Sequence, residues 1–260
     1  MSHLDRLLRI MVRLRDPEHG CPWDRQQDWA SIAPHTIEEA YELADAVARV
    51  DIDAVRDELG DVLFQVVFQA RIAQERGLFD FEAVAGTIAD KLERRHPHVF
   101  GEARVDSVEA QSQAWEQHKR AERAARGQGT GALDGVTVGL PALTRAGKLG
   151  SRAAKVGFDW PDASGVLVKV QEEVAELQHE LAQSHRGRAR EELGDLLFAL
   201  VQAARHLEID AEAALREANA KFERRFRHVE ALLARDGLTP SDVDIERLET
   251  LWGVVKRESG

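Results

Sequence analysis

Residues 190–206, REELGDLLFALVQAARH, place Leu193, Leu196, Leu197, Leu200, Val201 and Ala204 along one face of a helix. Glu192 and Asp195 share a second face that continues as Ala199 and Ala203, side chains small enough to let another helix come close. The pattern predicts a helix packed on two sides. Upstream, Val170, Val174, Leu177 and Leu181 recur at helical spacing as a core stripe, with Glu173 and Glu176 together on its flank and Glu172 turned further out. A turn near Gly187 would fold the two helices into an antiparallel hairpin. Leu4, Leu7, Leu8, Met11 and Leu14 form a further stripe near the N-terminus, read as core-facing. Runs of β-branched residues bounded by turn signals at strand spacing are scarce, so the chain is predicted to be all-α.

The same pattern is written twice. Residues 56–71, RDELGDVLFQVVFQAR, match the stretch above, so that Glu58, Leu59, Gly60 and Asp61 align with Glu192, Leu193, Gly194 and Asp195 at an offset of 134. IEEAYEL at 37–43 aligns with QEEVAEL at 171–177 at the same offset. The register then slips by four, KLERR at 91–95 matching KFERR at 221–225. Trp115 and Lys119 echo Trp252 and Lys256, both as W-x-x-x-K. Between the copies, residues 126–139 contain five glycines in fourteen positions, too many for a helix, which marks a linker between a domain at 1–125 and one at 140–260. Pro34, Gly77, Pro97, Pro161 and Pro240 punctuate the helices on either side.

Charge narrows the class of function. A net charge of −11 argues against a general nucleic-acid or anionic-membrane binder, because phosphate contacts need clustered Lys and Arg. Cys21 is the single cysteine, which forbids an intramolecular disulfide and suits a reducing compartment. No 18-residue apolar run and no signal-peptide pattern occur, so a cytoplasmic protein without a membrane partner is expected.

The acids carry the chemistry. In an antiparallel hairpin Glu173, Glu176, Glu192 and Asp195 fall at one level, where four anions would repel and oppose folding unless a cation lies among them. Oxygen-only ligands suit a hard ion such as Mg²⁺, with Mn²⁺ able to substitute, and Mg²⁺ keeps sites open for water and phosphate oxygens. Glu39, Glu42, Glu58 and Asp61 offer a possible second site, with the same 16-residue separation between Glu42 and Glu58 as between Glu176 and Glu192. A di-iron reading through Glu93-x-x-His96 and Glu176-x-x-His179 is weaker, since Phe226 and Asp45 replace the two histidines in the other copy. Lys221 with Arg225, like Lys91 with Arg95, sits four residues apart on one face, suited to gripping phosphate. Trp252 and Lys256 offer a flat surface and one more cation.

EExxE followed by ExxD, doubled, together with GCPWD at 20–24, KLERRHPHVF at 91–100, VGFDW at 156–160 and KFERRF at 221–226, closely resembles the MazG family of nucleoside triphosphate pyrophosphohydrolases. The resemblance spans nearly the whole chain. It implies two MazG domains of the all-α NTP pyrophosphatase fold, a homodimer, and Mg²⁺-dependent hydrolysis of NTPs, ATP included, to NMP and pyrophosphate with broad base tolerance. It also implies an active C-terminal domain whose metal carboxylates are Glu173, Glu176, Glu192 and Asp195. Nucleotide contacts fall on 169–173, including Lys169, Glu172 and Glu173, on Lys221, Glu223, Arg224 and Arg225 within 221–225, and on Trp252 with Lys256 nearby. Nothing in the first copy's own residues explains why it would be silent.

The expected reaction is attack of an ion-activated water at the α-phosphorus, with Lys221 and Arg225 stabilising the departing pyrophosphate and Glu172 as candidate general base. Two other classes compete. A regulatory helical scaffold would bind nucleotide without turnover, and a nucleic-acid binder would rest on ERRFRH at 223–228.

Overall fold

A computed structural model describes residues 2–101 and 131–258, together with residues 107, 122, 127 and 129. Eleven α-helices and one short 3₁₀ turn make up the regular structure among these residues, with no strand. The chain divides into two compact units, Met1–Lys119 and Arg120–Gly260. The residues of the expected linker that are described from 131 onward run as turns and irregular chain. Trp115 and Lys119 lie outside the described residues.

The first unit contains α1 (His3–Leu14), α2 (Pro22–Gln26), α3 (Trp29–Ala48), α4 (Ile52–Glu75), α5 (Phe81–Arg95) and α6 (Pro97–Phe100). Aspartates start three of them: Asp28, Asp51 and Asp80 each accept a hydrogen bond from the backbone amide three residues on, which satisfies a donor the helix itself cannot. The hairpin of α3 and α4 carries α1 across α4. Met11, Ile32, Val67, Phe68 and Ile72 form the core there, with Leu7, Leu8, Trp29, Phe64 and Phe81 packed around it. The N-terminal stripe thus faces inward through Leu7, Leu8 and Met11, while Leu4 stays exposed. Pro34 does not interrupt α3 but sits inside its second turn.

The second unit repeats this plan with α7 (Ala142–Ala154), α8 (Ala163–Ala182), α9 (Arg186–His206), α10 (Ala211–Arg235) and α11 (Ile245–Glu258), preceded by the 3₁₀ turn Pro240–Asp242. Asp162 and Asp210 cap α8 and α10 as Asp28 and Asp80 cap α3 and α5. The four-residue slip in the repeat now has a physical location. α9 begins where α4 does but spans 21 residues against 24, and the loop that follows is one residue shorter. Where α1 packs through Met11, α7 approaches α9 through Gly150, whose absent Cβ would lie 1.7 Å from Gln202 Oε1. Gln202 is fully buried and donates to the carbonyl of Ala146, so the polar side chain that replaces Phe68 is satisfied.

Two expectations about α8 and α9 change. The hairpin turns at Gln183, Ser184 and His185, and Gly187 belongs to the first turn of α9. Val174 and Leu181 point outward, at 38% and 62% exposure, while the line that points inward runs through Val166, Glu173 and Glu180. Apolar periodicity therefore misplaced the helix by a fraction of a turn, because this unit buries acids on its inner face. On α9, Ala199 and Ala203 are buried as the small-residue face requires, whereas Leu193, Leu197 and Leu200 remain almost half exposed.

The hairpin turns hold their bend with left-handed residues, Val50 (φ 56) in the first unit and Ser184 (φ 58) in the second. A β-branched side chain is costly in that region, and Val50 is 75% exposed, so it recovers little by packing. Val50→Gly is expected to stabilise the protein by about 1 kcal/mol in urea denaturation, the relief of strain outweighing the glycine's extra chain entropy; an unchanged or lower midpoint would contradict this. A second test concerns the loop before α8. Asp159 accepts hydrogen bonds from Arg205 and from His206 (3.0 Å) at the end of α9, and from the amide of Trp160, and the Arg205 bond foremost lowers its pKa to about 2. A depressed carboxylate stabilises above its unfolded pKa near 4 and loses that contribution as pH falls toward 2. The stability difference between the natural chain and Asp159→Asn is accordingly expected to be constant above about pH 5 and to shrink to nothing near pH 2 in denaturation series; a difference that does not change with pH would refute the tie.

Candidate metal centre in the helical hairpin

The hairpin of α8 and α9 brings Glu173, Glu176 and Glu192 together, with one carboxylate oxygen from each lying within 4.8 Å of the others. The burial of the three differs: Glu173 is 4% exposed, Glu192 is intermediate and Glu176 is exposed. Burial, then the charges of Glu176, Glu173, Asp195 and Glu180, raise the pKa of Glu192. Asp195 is therefore close enough to act on Glu192 but stands outside the set of three.

Lys169, one turn ahead of Glu173 on α8, answers part of this negative charge. Its Nζ is 2.7 Å from Glu173 and 2.9 Å from Glu172. The two hydrogen bonds, the one to Glu173 foremost, push the lysine's pKa up, so it remains an ammonium. Glu172, the candidate base, is thus held on Lys169 with its side chain about half exposed and outside the three-carboxylate set. One oxygen of Glu173 is engaged by Lys169, while Oε2 is buried with no hydrogen-bond partner. A buried, unpartnered oxygen on a carboxylate that groups with two more is a poor arrangement for protein alone and a good one for a hard cation. The donor set, all oxygen, fits a divalent ion of the Mg²⁺ kind.

Glu180 was missed by the sequence reading, although it follows Glu173 by seven residues and so shares its face. It is buried, accepts from His185 Nδ1 at 3.0 Å and lies 3.8 Å from Arg188. Its first-unit counterpart is Ala46, so the repeat gave no signal for it.

The basic and aromatic candidates sit on the other helix pair of the unit. Lys221, Glu223, Arg224 and Arg225 lie on α10, and Trp252 and Lys256 on α11. Glu223 pairs with Arg227 along its own helix. Trp252 packs on the small core of Val229, Leu233 and Val255 and turns its ring to Phe222, 5.2 Å between centroids. Phe222, 58% exposed, also stacks on Phe226 at 5.9 Å and an interplanar angle of 10°. Core packing and an aromatic surface are thus both served by Trp252.

In the first unit the set is Glu39, Glu58 and Asp61, again within 4.8 Å, with Glu42 close by. Burial and the neighbouring acids raise the pKa of both Glu39 and Glu58. The position of Lys169 is taken by His35, which faces Glu38 at 3.3 Å and meets Trp23 edge-on. Of the two histidines that suggested iron, His96 Nδ1 lies 2.7 Å from the Leu92 carbonyl and His179 Nε2 is 2.6 Å from the Gln183 amide.

Comparison with known proteins agrees with this doubled architecture. The MazG nucleotide pyrophosphohydrolase domain matches twice, over residues 27–100 and 164–230, that is, once on each acid-bearing hairpin. The chain is 53% identical to a nucleoside triphosphate pyrophosphohydrolase of Escherichia coli (strain K12), over 99% of this chain and 98% of that protein. It is 43% identical to the nucleoside triphosphate pyrophosphohydrolase/pyrophosphatase MazG of Thermotoga maritima, over 97% and 95% of the two chains. A crystal structure of a MazG-related protein from Thermotoga maritima aligns with a TM-score of 0.38 and 29% identity, covering 45% of this chain and 98% of that one. With two domain matches on two matching carboxylate hairpins and near full-length identity to such relatives, the chain belongs to the MazG nucleotide pyrophosphohydrolase family.

Proposed function

We propose that the second unit hydrolyses nucleoside triphosphates, ATP and deoxynucleotides among them, to the monophosphate and pyrophosphate with Mg²⁺ or Mn²⁺, and so limits the nucleotide pool. The observation that carries this reading is Glu173: one oxygen sits on Lys169, the other is buried and unpartnered, and the carboxylate groups with those of Glu176 and Glu192 within 4.8 Å. Glu173, Glu176 and Glu192 would hold the ion, with Asp195 adding to the negative field. When bound, the ion supplies charge neutralisation for the triphosphate and lowers the pKa of water.

The chain's own groups do the rest. Lys169 balances the carboxylates in the ion's absence and is free to swing to a phosphate oxygen once a divalent charge takes over. Glu172, released from the same lysine, accepts the proton of the attacking water. Lys221 and Arg225 bind the phosphates that leave as pyrophosphate, because an ammonium and a guanidinium match those oxygens. The Phe222 and Trp252 rings offer stacking surface, which every base can use, and that favours broad base tolerance.

The exposed stripes on the hairpins suit a second copy of the chain. Leu193, Leu197 and Leu200 on α9 recur as Leu59, Leu63 and Val66 on α4, at matching positions and similar exposure. Burying such side chains contributes on the order of 1 kcal/mol each, so a homodimer gains from covering both stripes.

Pyrophosphate release from ATP and dNTPs by the purified protein tests the chemistry: it is expected to require Mg²⁺ or Mn²⁺ and to fall about 100-fold or more in kcat/KM in Glu176→Ala. Turnover that survives excess chelator would sink the reading. Light scattering after size exclusion tests the assembly: a dimer is expected, converted to monomer by Leu63→Glu with Leu197→Glu. A natural chain that runs as a monomer would refute it.

A further inference from the structure

The two hairpins bend through the same backbone and different side chains. In the first unit the amide of Asp51 donates to the carbonyl of Ala46 at 3.1 Å, and in the second the amide of His185 donates to that of Glu180 at 3.0 Å, each just after a left-handed residue. Asp51 then caps α4 with its side chain, whereas the His185 side chain makes no cap bond on α9 and turns back to α8. There its Nδ1 meets Glu180 Oε2 at 3.0 Å, and Arg188, in the first turn of α9, lies 3.8 Å from Glu180 Oε1. At the offset of 134 the same three positions in the first unit are Ala46, Asp51 and Ala54, which cannot make this contact. The bend forms there without it, so the contact is not what makes the chain turn.

Its place on the helices shows what it can do instead. Glu180 is 8% exposed, and a buried carboxylate is unfavourable unless it is paired. Glu176 precedes Glu180 by four residues and Glu192 follows Arg188 by four, so the contact lies one helical turn nearer the bend than Glu176 and Glu192, on the same helix faces. Glu180 is near enough for its charge to act on Glu192. Where Glu176 and Glu192 meet, like charges push α8 and α9 apart; one turn below, a carboxylate draws an imidazole and a guanidinium from α9 onto α8. The carboxylate sets of the two units differ in step with this. The hairpin with the contact gathers Glu176 and Glu192, the acids next to it, with Glu173. The hairpin without it leaves out Glu42, the counterpart of Glu176, and takes Asp61, one turn further from the bend.

We propose that Glu180, held by His185 and Arg188, is a positioning residue of the second unit: it ties α8 to α9 one turn below Glu176 and Glu192 and so keeps those carboxylates at the spacing that takes a divalent ion. The three residues act on the placement of the acids and not on the substrate. The first unit, with Ala46, Asp51 and Ala54, keeps the bend and lacks the tie, which separates the two units by a feature outside their acid sets. This rests on reading Glu173, Glu176 and Glu192 as cation ligands.

Pyrophosphate release from ATP by the full chain, titrated with Mg²⁺, tests the tie. Glu180→Ala, His185→Asp and Arg188→Ala together give the second hairpin the first unit's residues at the bend, which restores an aspartate cap and leaves no buried charge unpaired. This variant is expected to stay helical by circular dichroism and to melt close to the natural chain, while the Mg²⁺ concentration for half-maximal rate rises roughly tenfold. The KM for ATP at saturating Mg²⁺ is expected to stay the same, since the groups on α10 and α11 are untouched. A loss of folded protein alone would lower kcat and leave the Mg²⁺ requirement where it was. Should the triple variant fail to fold, Glu180→Gln carries the test, because it keeps an acceptor for His185 and removes the charge that holds Arg188; the same rise in Mg²⁺ requirement is expected. An unchanged Mg²⁺ requirement in the folded variant overturns the tie and leaves the proposed function standing. A natural chain whose turnover needs no divalent ion overturns both.

Discussion

Three carboxylates within 4.8 Å at the seam of a helical hairpin are a standing electrostatic debt, and a positive charge among them is the condition on which the rest of the hairpin depends. In the second unit that charge is Lys169, bonded to the most buried of the three. A lysine cannot also satisfy the far oxygen of Glu173, which is left without a partner. The buried oxygen left over is an acceptor that an ion would satisfy, and it is the support for the proposed cation site.

The scaffold serves this seam. Aspartate caps fix where α3, α4, α5, α8 and α10 begin, so the acids of each hairpin arrive in register. Small residues, Ala199 and Ala203 on α9 and Gly150 on α7, allow helices to approach closely behind it. The two units share this frame and differ at the chemically decisive points: Lys169 against His35, Glu180 against Ala46. The acids alone gave no reason to treat the units differently, and these neighbours supply one.

Much of this was legible without coordinates. The doubled acidic pattern, the all-helical class and the small face of α9 follow from spacing, because a helix has one period and every side chain obeys it. The inner face of α8 did not follow. Hydrophobic periodicity chose Val174 and Leu181, and the fold buries Glu173 and Glu180 instead, since here charge rather than apolar area sets which side faces in. Pro34 read as a stop and lies inside α3, past the first turn, where it leaves the Ala30 carbonyl without its i+4 helical donor and the packed helix carries that cost. Ser184 makes the turn that Gly187 seemed to promise, a left-handed residue that composition does not reveal. The set of three was also finer than the spacing could resolve, taking Asp61 in the first unit and Glu176 in the second.

In the proposed mechanism Lys169 and a divalent ion compete for the same carboxylates. A crystal of the protein grown with Mn²⁺ and a nonhydrolysable triphosphate analogue, with anomalous data collected near the manganese edge, tests it most directly. The expected result is an anomalous peak bounded by Glu173, Glu176 and Glu192, with Lys169 Nζ withdrawn from Glu173 toward the phosphates. Density that shows the lysine still on Glu173 and no manganese among the three carboxylates would contradict it.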